Sequence, residues 1–174
     1  MAEIKSTLDL IMERTKHLTM TDEEKKILHS QELRGKVKGW VQKCIDGTLD
    51  ILHLQEEIER EKIKEPELLP DLFQELIERI DPDGENERIF QLLENVLHFD
   101  TAPLRTVIDR FRIDLAEKVN EKTTRAKKNL EQRKISGSAV IPNLNRDSQW
   151  IKDREQLKDL YFRQIRSAAA CGAR

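Results

Sequence analysis

The sequence predicts an all-α protein, an elongated helical bundle of six or seven helices, and three observations predict it. Apolar residues make up 37% of the chain and charged residues another 37%, with only 5% aromatic, a balance that suits helices burying a narrow stripe and exposing a broad charged face. Segment after segment repeats its apolar residues at three- and four-residue steps. Alternating runs of β-branched and aromatic residues are missing, apart from the short stretch Ala139, Val140, Ile141. The 174 residues fit one domain and are enough to bury a core.

Taken in order, Ile4, Leu8, Ile11, Thr15 and Leu18 share one face, which predicts a first amphipathic helix over residues 3–17. This opening, EIKSTLDLIMERTKHL, resembles a bacterial family of small helical proteins with no assigned function; the resemblance covers this stretch alone and carries no functional residue across. Thr21 followed by Glu24 is a capping box, opening a second helix that runs to Gly47 as its left-handed cap. Leu33, Val37, Trp40, Val41, Cys44 and Ile45 form its buried face, so Trp40 reads as core despite the neighbouring Arg34, Lys36, Lys38 and Lys43. Gly35 and Gly39 inside it are either a hinge or a site of close helix contact, or two tolerated glycines, each costing about 1 kcal/mol relative to alanine.

A third helix begins near Thr48 with Leu49, Leu52, Leu54 and Ile58. Pro66 and Pro70 bracket the start of a fourth, in which Leu69, Leu72, Phe73, Leu76, Ile77 and Ile80 make a stripe. Asp81, Pro82, Asp83 and Gly84 are turn chemistry, with the glycine expected in a left-handed conformation, and Ile89, Leu92, Leu93, Val96 and Leu97 follow as a fifth helix. Residues 69–99 therefore read as an acidic helical hairpin.

Pro103 in a first turn and Gly137 at the end mark a long helix over about 103–135. Leu104, Ile108, Phe111, Leu115 and Val119 form its core stripe, and the hairpin of residues 69–99 is expected to pack on it. Thirty-two residues of helix reach about 48 Å, longer than a compact globule of this chain length, so residues 120–135 are expected to project as an arm or to elongate the bundle. Residues 136–147 read as an irregular segment whose Val140, Ile141 and Leu144 dock on something. A last helix, capped by Asp147 or Ser148, is expected to bury Trp150, Leu157, Leu160, Tyr161, Ile165 and Ala168 before an alanine-rich tail that frays.

Charge is uneven along the chain. Residues 56–101 carry five basic and fifteen acidic side chains, and residues 102–174 carry seventeen and nine. Complementary pairing within the fold, pairing between subunits, or a basic surface for an acidic partner all follow from such an asymmetry.

Chemistry is not indicated. HExxH, GxSxG, Walker and dinucleotide glycine motifs are absent, and the histidines lack the repeated carboxylate spacing of a bundle metal site. The sequence thus predicts no enzyme, no cofactor, no metal and no small-molecule substrate. Lone Cys44 and Cys171 point to a reducing, cytoplasmic setting, and no apolar run is long enough to span a bilayer, so no membrane partner is expected. Two functions remain. The first is a protein-protein interaction or structural module, with a protein partner or self-association through Val140, Ile141 and Leu144. The alternative is a nucleic-acid or ribosome-associated protein whose Lys122, Arg125, Lys127, Lys128, Arg133 and Lys134 contact phosphates.

Overall fold

A computed structural model describes residues 21–137 and 140–172. The expected helix over 3–17, together with Ala139, lies outside the described residues. Six α-helices and one short 3-10 turn, with no strand among the described residues, make up the fold: α1 (Asp22–Ile45), α2 (Ile51–Glu61), α3 (Leu68–Glu78), α4 (Glu87–Asn95), α5 (Ala102–Gln132), the 3-10 turn (Leu144–Arg146) and α6 (Ser148–Gly172).

Local chemistry sets most of the boundaries. At the start of α1 the Glu24 amide donates to Thr21 Oγ1 at 3.2 Å while the Thr21 amide donates to Glu24 Oε2 at 2.7 Å, so two orphan helix-start donors are satisfied reciprocally. Its other end closes through Gly47 at φ 74°, with the Gly47 amide on Cys44 O and the Thr48 amide on Lys43 O. Thr48 is thereby spent on closing α1, and α2 starts three residues later than expected, with Asp50 Oδ1 accepting from the Ile51 amide. α3 begins between the two prolines as predicted.

The turn between α3 and α4 uses its residues differently from expectation. Gly84 does not take a positive φ; what matters is its missing Cβ, which would stand 3.1 Å from Asp81 Cβ. Asn86, buried at the end of the turn, holds it together: its Oδ1 accepts from the Asp81 amide at 3.0 Å and its Nδ2 donates to Asp81 O at 2.7 Å.

One core cluster joins Leu33, Val37, Trp40, Val41 and Cys44 of α1 with apolar residues of α2, α3 and α4, and with Leu104 and Ile108 of α5 and Ile165 and Ala169 of α6. The α3–α4 hairpin therefore packs on the first two turns of α5 and not as far as Val119, which is exposed. A smaller cluster of Phe111, Leu157 and Tyr161, with Val107 and Leu115 against it, continues outward between α5 and α6. Leu160 is half exposed and Ala169, not Ala168, is the buried alanine, because the inward stripe of α6 drifts by one position over its length. The alanine-rich end is helical to Gly172, where any Cβ would press on the Phe99 ring at 2.9 Å, so the tail is docked and the expected fraying is corrected. Gly35 and Gly39 have open space over them, which removes the close-contact reading of that pair.

Candidate interaction surface

α5 and α6 form an antiparallel helical pair that starts in the core and runs out of it. Along the pair, Phe111 meets Tyr161 edge to face at 5.5 Å between centroids, and the Tyr161 hydroxyl donates to Asp114 Oδ2 at 2.6 Å. That carboxylate, with burial behind it, pushes the Tyr161 phenol up to about 12. Further out Lys122 Nζ reaches Asp153 Oδ2 at 2.8 Å, and Lys122 with Gln149 holds the Asp153 carboxyl below its usual range. α6 lies along the long helix at least as far as this ion pair.

Beyond Lys122, α5 continues for ten residues to Gln132. It ends in a Schellman closure, the Ile135 amide on Leu130 O and the Lys134 amide on Glu131 O, with Lys134 at φ 60°. The sequence pointed to Gly137 for this role, since lysine has no preference for the left-handed region. Asn143 Oδ1 then accepts from the Asn145 amide to start the 3-10 turn, and Asp147 Oδ1 caps α6 by accepting from the amides of Gln149 and Trp150.

At this distal end the structure separates the predicted contact residues. Val140 and Leu144 are half-buried and have no regular strand structure, whereas Ile141 is 86% exposed. Ile135, at 49%, and Ile151, at 47%, are also exposed; the sequence reading placed neither in a core stripe nor among the contacts. Trp150 is the one buried residue among the described positions 123–152. Of the predicted phosphate contacts, Lys122 is taken by Asp153, while Arg125, Lys127, Lys128, Arg133 and Lys134 are exposed and make no ion pair with another described residue.

The acidic hairpin has a different fate. Arg105 lies over the Phe90 ring and bonds Glu87 at 2.9 Å and Glu94 at 3.4 Å. Lys158 reaches Asp81 at 3.1 Å and Arg154 pairs with Asp83. Burial alone would raise the Asp81 carboxyl, but the Asp83 amide and Lys158 outweigh it and hold it below the usual range. α5 and α6 therefore neutralise the acidic turn near the body of the bundle.

Cavities lie elsewhere. One of about 530 Å³ opens between Ile27, Ser30 and Leu33 of α1 and the Glu65–Glu67 bend, crossed by a 2.9 Å contact from His29 to Glu65 that raises the imidazole above its usual value. Another of about 270 Å³ sits beside Arg105 and Phe90, and neither brings a nucleophile to a base. Among the described residues no three His, Cys, Asp or Glu side chains gather to hold a metal ion, and no helix is long and apolar enough to cross a membrane. No family model matches the chain, and no curated protein or solved structure matches it.

Proposed function

We propose that this chain works by binding rather than by catalysis, as a helical interaction module whose contact surface is the distal end of the α5–α6 pair. The observation that carries the reading is Ile141, 86% exposed in a part of the chain whose cations Arg125, Lys127, Lys128, Arg133 and Lys134 make no ion pair with another described residue. An isoleucine held in water forfeits the burial that would stabilise it by about 1.5–3 kcal/mol, and that free energy is recovered when a partner covers it. Two free thiols, Cys44 buried and Cys171 exposed, support a reducing cytoplasmic setting. Contact with phosphates by charge alone is a weaker reading, because Lys122 is occupied by Asp153 and the sole aromatic residue of positions 123–152, Trp150, is buried and offers no stacking face.

The test compares Ile141→Asp with a glutamine set at Arg125, Lys127, Lys128 and Lys134. Both leave the melting temperature unchanged, since these side chains are solvated. On this reading Ile141→Asp abolishes partner binding or self-association, measured by light scattering and pull-down. Retention of every complex by Ile141→Asp, with RNA lost from the glutamine set, refutes it.

A further inference from the structure

Resting on the reading of the chain as a binding module, we infer that the distal end of the α5–α6 pair docks on an anionic lipid surface. That no helix among the described residues is long and apolar enough to span a bilayer bears on crossing it and not on contact with its interface.

Charge sets the sign of the partner. Residues 123–152 carry seven cations, Arg125, Lys127, Lys128, Arg133, Lys134, Arg146 and Lys152, against two carboxylates, Glu131 and Asp147, and Asp147 is engaged in capping α6. In a second copy of the chain the acids at the tip of the hairpin and along α4, Asp81, Asp83, Glu87 and Glu94, are already paired with Lys158, Arg154 and Arg105 and do not supply the complement.

The distribution of the cations narrows the choice further. At 100° per residue Arg125 and Lys128 lie about 60° apart on α5, while Lys127 stands about 160° from Arg125. They collar the helix instead of lining one side of it. Lining one side is what a row of phosphates along a nucleic-acid groove rewards; a collar meets a plane approached end-on. In the same part of the chain Ile135, Ile141 and Ile151 are exposed. Exposed aliphatic side chains in a cation-rich stretch match a bilayer interface, which takes up apolar groups without steric complementarity and attracts Lys and Arg through its surface potential. The anionic cytoplasmic leaflet supplies that potential in the setting the free thiols support.

The experiment is co-sedimentation of the full chain with vesicles of equimolar phosphatidylglycerol and phosphatidylcholine, and with phosphatidylcholine alone, at low and high salt. Binding is expected to the anionic vesicles only and to fall with salt. Replacing Arg125, Lys127, Lys128 and Lys134 by glutamine should weaken it by about fivefold per cation. Ile141→Ser should weaken it by at least about tenfold. Ile141→Trp adds a folded-state reporter at an exposed position: its emission should shift to the blue with anionic vesicles, whereas Trp40 and Trp150 are already buried. Equal sedimentation with both vesicle types, or with neither, overturns the proposal. If RNA retention or concentration-dependent self-association is then lost in the same variants, the surface still binds but its partner is not lipid. If no variant changes any of these readouts, the binding-module reading fails as well.

Discussion

Removing one hydroxyl at Tyr161 tests whether the α5–α6 pair is held by the contacts described. In Tyr161→Phe the ring keeps its edge-to-face contact with Phe111, so the loss is confined to the 2.6 Å bond onto Asp114. A hydrogen bond to a charged group contributes about 1.5–3 kcal/mol, and because Asp114 is only half-buried and water can replace the donor, the lower end applies, about 1–2 kcal/mol. Linkage supplies a second signature. The phenol sits at about 12 in the fold against an ordinary value of 10, so its contribution is fully present below pH 10 and is lost as the pH rises from 10 through about 12. Urea unfolding followed by far-UV circular dichroism, on both proteins across this range, measures the gap between them. Taking the difference removes the titration of lysines, which both proteins share. The gap should be about 1–2 kcal/mol at pH 7 and should close towards pH 12. A gap below about 0.5 kcal/mol at pH 7, or one that stays constant to pH 12, refutes the pairing.

Two further predictions concern glycine and the core. Gly35→Ala and Gly39→Ala should each stabilise the protein by about 0.5–1 kcal/mol, because both sit in a helix with open space above them; Gly47→Ala should destabilise it, since φ is 74° and the new methyl would stand 2.6 Å from the Arg88 guanidinium. Opposite signs in thermal melts are the check. Phe111→Ala and Leu93→Ala, both fully buried, should cost about 3–5 and 2–5 kcal/mol in chemical denaturation, and wild-type stability in either would place that side chain outside the core.

Features written within a few residues of each other were legible in the sequence. The Thr21 and Glu24 box, the Gly47 cap, the start of α3 between two prolines and the core face of α1 all depend on short-range geometry, and the fold bears them out. What long-range packing decides was not legible. No local signal assigns Arg105 to Glu87, Lys158 to Asp81 or Lys122 to Asp153, because each is set by how distant helices lie together. Lys134 takes a left-handed cap that composition assigns to Gly137, since the chain must turn there to bring α6 back along α5. At the candidate surface, Ile141 was singled out by its company in an irregular segment. Ile135 and Ile151 were placed neither in a core stripe nor among the contacts, because nothing local says whether a neighbouring helix covers them.

The docked end of α6 has a consequence for how the chain matures during synthesis. Leu33, Val37, Leu72, Leu93 and Leu104 share a single cluster with Ile165 and Ala169, so the pocket that the earlier helices shape is sealed by residues made after them. A nascent chain that has released α1 to α5 still shows water an apolar gap where Ile165 belongs, and sequential completion of sub-units is closed to it. Such a chain waits in a partly assembled, adhesive state until α6 emerges. Stop codons that remove Ile165 and Ala169 should therefore yield polypeptide that chaperones retain, even though most of its helices are intact.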